Sequence, residues 1–181
     1  MAAEFIRSPG NPSGCLRKKQ SPMKHDDLWS FALACYARPG VETACLKLQA
    51  AGADVCMLLT CAWLEYREIT YDDARLQQLQ RVSEEWRTLV VAPLRTLRLA
   101  WRQPAVEDAE LAGLRARLKS LELDAEHIQL RRLQSATQGW PISGESADWI
   151  ARACAKLGPD ALTSIETLRN AASAQLAVGG D

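Results

Sequence analysis

The chain has 181 residues, 48% of them hydrophobic and 24% charged, enough to bury a globular core without disulfide or metal staples. Lys and Arg total 22 and Asp and Glu total 22, and this net charge of zero excludes a whole-surface polyanion binder while leaving room for local basic patches. The longest apolar stretch, Val55–Leu64 with Thr60 inside it, is far short of the roughly 20 residues a membrane-crossing helix needs. The N-terminus lacks the order of a secretory signal, so a soluble cytoplasmic protein is expected, with no membrane partner.

Residues 1–22 read as a disordered basic tail, punctuated by Pro9, Gly10, Pro12, Gly14 and Pro22 and lacking any apolar face. They fit an upstream extension from a misassigned start, with Met23 opening the foldable segment. Residues 23–181 read as a single helical domain. Asp26 and Asp27 are cap candidates for a helix over Leu28–Ala37, which Arg38-Pro39-Gly40 stops. A second helix spans Val41–Ala51 and ends at Gly52. Asp54 caps a third, Val55–Glu68, apolar on nearly every face and therefore expected to be the central buried helix.

After a turn at Thr70–Asp73 comes a long helix over Ala74–Arg102, with the stripe Leu79, Val82, Trp86, Leu89, Pro93, Leu97 and the neighbouring row Val90, Leu94, Trp101. Pro93 should interrupt it near Leu89–Val90, because proline cannot donate the backbone bond. The next helix, Glu107–Leu133, carries Leu111, Leu114, Leu118, Leu121, Ala125 and Ile128 at heptad spacing. The short break between the two implies an antiparallel hairpin. Helices over Glu145–Leu157 and Asp160–Leu176, separated by Gly158-Pro159, close the chain. The expected fold is an all-α bundle of six or seven helices that includes this long hairpin.

Catalytic signatures are sparse. No phosphate loop and no nucleophile elbow is present. The six cysteines form no Cys-x-x-Cys pair and mostly fall on apolar helix faces, which suits reduced structural thiols. Asp26-Asp27 and Asp72-Asp73 lack the third aspartate at helical spacing that a diphosphate-bound metal needs, and capping accounts for both pairs. Asp124 and His127 share a helical face, but one such motif does not make a di-metal bundle. No cofactor, no metal and no catalytic residue is expected.

Two features stand out. Six of the eleven aromatic residues are Trp. Core packing explains most of them, while Trp29 and Trp63 are candidates to line a pocket and Trp140, in a loop before Pro141, is the best interface candidate. Charge is also segregated along the hairpin. Arg87, Arg95, Arg98 and Arg102 share an arc of roughly 80° on the long helix, and the segment Glu107–Glu126 is acidic. Either the acidic helix answers these arginines across the hairpin, or an anionic partner does.

The stretch Leu28-Trp29-Ser30-Phe31-Ala32-Leu33, then Tyr36-Ala37-Arg38-Pro39-Gly40-Val41, Leu48-Gln49, Gly52-Ala53-Asp54-Val55 and Trp63-Leu64 resembles a family of small uncharacterised proteobacterial proteins that share a domain of unknown function. Val91-Ala92-Pro93-Leu94-Arg95 and Trp101-Arg102 fit the same pattern, so the resemblance covers about residues 26–133. It implies a bacterial cytosolic protein and carries over no activity and no site residue. The expected function is a non-catalytic protein–protein interaction or regulatory module, with a protein partner or a second copy of the chain. The alternatives are a nucleic-acid- or ribosome-associated factor using the arginine stripe, and a helical enzyme or ligand binder with a Trp-lined pocket.

Overall fold

A computed structural model describes residues 27–142, 148–155 and 157–177. The tail at 1–22, including Cys15, and the start of the helix expected from Glu145 lie outside the described residues. The protein is all-α, and the chain divides into two compact units. Among the described residues, unit 1 comprises those up to Asp72 together with those from Gly139 onward, and unit 2 is Asp73–Gln138.

Unit 1 is organised by helix α3 (Val55–Tyr66), whose apolar residues surround it so completely that ten of its twelve side chains are buried. A helix of this kind must be enclosed on all sides. Helices α1 (Leu28–Tyr36), α2 (Val41–Ala50), α7 (Trp149–Ala153) and α8 (Leu162–Ala177) enclose it. The starts follow the expected chemistry. Asp27 Oδ2 accepts the Ser30 N–H at 2.7 Å at the head of α1, and Asp54 Oδ1 accepts the Met57 N–H at 3.2 Å at the head of α3. Gly40, at φ +83°, turns the chain between α1 and α2 in a conformation that L side chains rarely adopt. Thr60, fully buried in α3, donates its hydroxyl to the Cys56 carbonyl at 2.8 Å, so no orphan polar group is left there.

Unit 2 is the hairpin. Its first arm is α4 (Asp73–Trp86), a π-helical segment (Arg87–Val91) and α5 (Ala92–Ala100), and a 3-10 turn at Pro104–Val106 leads to the return arm α6 (Ala109–Ala136). Counting α4, the π segment and α5 as one interrupted rod, the described residues form seven helices. The interruption falls where Pro93 placed it. Proline has no N–H for the carbonyl four residues back and its ring clashes with that carbonyl, and the chain responds by widening. The Ala92 N–H bonds to the Arg87 carbonyl, five residues back.

The extra residue per turn rotates everything that follows, and this corrects the expected stripe. Leu89 is 74% exposed while Val91 is buried. On α6 the inward row is Leu118, Glu122, Ala125, Gln129 and Leu133, whereas Leu114 and Leu121, expected in the seam, are 43% and 53% exposed.

Candidate interaction surface

The two arms of unit 2 meet over polar groups. Glu122, 1% exposed, takes Arg95 Nε on Oε1 at 2.9 Å and Arg98 Nε on Oε2. Arg95 also reaches Glu126 Oε1, and Arg98 itself is only 6% exposed. Arg115 Nε donates to the Arg98 carbonyl at 3.1 Å. Further along, Gln129 Nε2 donates to Ser83 Oγ at 2.7 Å and Trp86 Nε1 donates to the Ala125 carbonyl at 2.9 Å. Burial is the main influence on the Glu126 carboxyl and raises its pKa, with Arg95 opposing and Glu122 adding to the rise.

This pairing decides the fate of the arginine stripe. The four arginines do not present a free basic ridge. Arg95 and Arg98 turn inward to the acids of α6, and Arg87 is held by Glu84 one turn back at 2.8 Å. Arg102 alone of the four is exposed, just past the end of α5. Helical phase explains why the leucines lie outside the seam. Once the π segment has rotated α5, the direction facing α6 carries Val91, Arg95 and Arg98, and the leucines move to a flank.

Those flanks coincide. At about 100° per residue, Leu94, Leu97 and Trp101 lie on one side of Arg98, and Arg95 lies on the other. On α6, Leu114, Leu121 and Ile128 lie on one side of Leu118, and Glu126 lies on the other. In an antiparallel pair, flanks of the same rotational sense share a side, and the Arg95–Glu126 ion pair shows which side is polar. The opposite side of the hairpin is therefore apolar. It carries Leu97 at 42% exposure, together with Leu114, Leu121 and the half-buried Leu94, Trp101 and Ile128.

Trp63 and Trp149 pack in the core as expected, and Trp140 departs from expectation. Trp63 is buried in α3 with the Arg67 guanidinium 4.8 Å from its ring centroid, and Trp29 is half-buried on α1. Trp140 is no exposed anchor. It stacks on the fully buried Trp149 at 5.8 Å and 10°, and Trp149 donates Nε1–H to the Ile69 carbonyl at 2.9 Å. The chain returning from α6 thereby closes onto the end of α3 at an isolated bridge between Ile69 and Ile142.

Unit 1 contains a cavity of about 340 Å³ lined by Glu65, Tyr66, Glu68, Asp148, Arg169 and Ser173, among others, within the size range of small-ligand pockets. Neither Trp29 nor Trp63 lines it, so it is not the Trp-lined pocket envisaged from the sequence. Arg169 lies 3.5 Å from Glu65 and 3.7 Å from Asp148, and its buried Nη2 has no hydrogen-bond partner. Burial raises the Glu65 carboxyl, against the Ile150 N–H it accepts at 2.8 Å and the charge of Arg169. A raised carboxyl prefers its proton in the folded state. The stability of wild type relative to Glu65→Gln should therefore be greatest at and below the ordinary value of 4.5, fall as pH rises through the raised pKa, and then level off. Parallel denaturant titrations of the two proteins between pH 4 and pH 8 measure this difference; a wild-type advantage that grows with pH contradicts it.

Cys35, Cys45, Cys56, Cys61 and Cys154 are buried free thiols. Burial pushes Cys35 up to about 12 and Cys154 up to about 11, and it also raises Cys45 and Cys61. Thiolate is the reactive form, so these thiols should resist alkylation at pH 7.5 in the native protein and label promptly in denaturant. Peptide mass spectrometry after iodoacetamide treatment checks each of the five separately.

Among the described residues no helix is long and apolar enough to cross a membrane. Neither a curated protein nor a solved structure is significantly similar to the chain. A family model described as a protein of unknown function (DUF2390) matches residues 27–133, which takes in α1 to α3 and the hairpin as far as Leu133. The match spans more than half of the chain, with its Asp27 cap, its α3 core helix and its Pro93 interruption all inside it, and the protein belongs to that uncharacterised family.

Proposed function

We propose that this protein is a non-catalytic interaction or regulatory module of the bacterial cytoplasm, and that unit 2 is the part that binds a protein partner. The supporting observation is the inverted hairpin. Arg95 and Arg98 are taken up internally by Glu122 and Glu126, while Leu97, Leu114 and Leu121 face solvent on one side. Contiguous exposed apolar surface on a soluble domain marks an interaction site far more often than isolated leucines do. The buried free thiols suit a reducing compartment.

Affinity purification from the native bacterium tests the reading, with wild type compared against Leu97→Glu/Leu121→Glu. A protein that co-purifies with wild type and is lost from the variant supports the interaction module. Nucleic acid that co-purifies with both and is released by salt instead supports the arginine-based alternative, and Arg102 is then the first residue to change.

A further inference from the structure

We propose that the partner on the leucine face is a second copy of this chain, its α6 lying antiparallel across the first α6 about a two-fold axis at Leu121. The proposal rests on the reading of unit 2 as an interaction module and names its occupant. In this register Leu121 meets its symmetry mate and Leu114 meets the partner's Ile128. The inter-arm ion pairs supply the second row, because Arg95 and Arg98 both reach Glu122 and so set Leu97 level with Leu121. The same axis then brings Leu97 onto its mate and Leu94 onto the partner's Trp101. Both arms satisfy one symmetry operation.

Charge selects the register. Beside the leucine row, on the edge of α6 away from α5, Glu110, Arg117, Asp124 and Arg131 recur every seventh residue. All four are exposed, and none makes an ion pair among the described residues. With the axis at Leu121, Arg117 lies beside the partner's Asp124 and Glu110 beside the partner's Arg131. Symmetry doubles these to four attractive pairs and no repulsive one. A shift by one heptad in one direction sets Asp124 against its own mate and Arg117 against the partner's Arg131. A shift in the other direction sets Arg117 against its own mate and Glu110 against the partner's Asp124. Every neighbouring register is thus like-charged, which is how flanking charges specify pairing in helical bundles.

The area is sufficient. A helix of 28 residues is about 42 Å long, and two helices side by side are about 20 Å across. With the axis at Leu121 the two α6 helices overlap over residues 109–133, about 36 Å, so the face offers about 700 Å² per copy, near the footprint of a standard stable interface. Two hairpins stacked in this way form an antiparallel four-helix bundle.

Light scattering coupled to size exclusion on the full chain, loaded at about 50 µM, reads the assembly state. The expected mass is twice the 20.0 kDa of one chain. Arg117→Asp or Asp124→Arg alone should weaken the dimer by about tenfold or more, since each sets like charges together twice. The double variant Arg117→Asp/Asp124→Arg should restore it, as should an equimolar mixture of the two single variants. All four positions are solvent-exposed, and circular dichroism checks that helicity is unchanged.

A wild-type mass of 20.0 kDa at this loading overturns the proposal. So does a dimer indifferent to both charge reversals and to Leu97→Glu/Leu121→Glu. A monomer whose leucine face still retains a different protein overturns the second copy and leaves the interaction module standing. A monomer that retains nothing overturns both.

Discussion

Glu122→Ala is expected to cost about 3–5 kcal/mol of folding stability, the usual loss when one partner of a buried ion pair is removed. The carboxylate is almost fully enclosed and divides its two oxygens between Arg95 and Arg98. Without it, Arg95 keeps Glu126, but Arg98 is left as a buried cation with no acid beside it. Exposed substitutions seldom exceed about 0.5 kcal/mol, so Glu84→Ala, which opens only the exposed contacts to Arg87 and the Thr88 hydroxyl, is the internal control. The same measurement separates the ion pair from the bulk of the residue. Glu122→Leu combined with Arg98→Met should recover most of the loss, because replacing a buried pair with apolar side chains of similar volume is often neutral or stabilising. Urea denaturation of the four proteins at pH 7 decides the matter. A loss below about 1 kcal/mol for Glu122→Ala would show that water reaches the site and that the two arms are held by something else.

Trp149→Ala should be comparably severe, at about 3–5 kcal/mol, because it empties the largest volume a single side chain fills in a core. Trp149 is fully buried, stacked by Trp140 and met edge-on by Tyr71 at 5.0 Å, so no neighbour is free to collapse into the space. Trp149→Phe separates packing from hydrogen bonding. It keeps a ring for Trp140 and Tyr71 but removes the N–H that satisfies the Ile69 carbonyl, and it should cost about 1–3 kcal/mol for the acceptor left bare. If the phenylalanine variant is as unstable as the alanine variant, the indole hydrogen bond outweighs the packing. If it matches wild type, water has taken the place of the donor. Trp149 lies beyond the family match at 27–133, although the chain segment it closes against, around Ile69, lies inside it.

Much of this architecture could be read along the chain. The Asp27 and Asp54 caps, the stop at Pro39-Gly40, the envelopment of α3, the break near Leu89–Val90 and the hairpin after Gln103-Pro104 all depend on chemistry within a few residues. Capping, proline geometry and apolar periodicity act at that range. What the sequence left open was the rotational phase of the hairpin arms. A heptad count over Leu111–Ile128 assumes an undisturbed helix facing another undisturbed helix, and the π segment at Arg87–Val91 breaks that assumption by one residue. The shift turns Arg95 and Arg98 toward acids 24 to 31 residues away, and on the uninterrupted α6 the side that meets them carries Glu122 inward and leaves Leu121 exposed. Similarly, the stacking of Trp140 on Trp149 depends on where the chain returns after α6, which no local pattern encodes. Local chemistry determined where the helices begin and end. Only the tertiary structure decided which sides they present, because a side chain is buried or exposed by what stands opposite it.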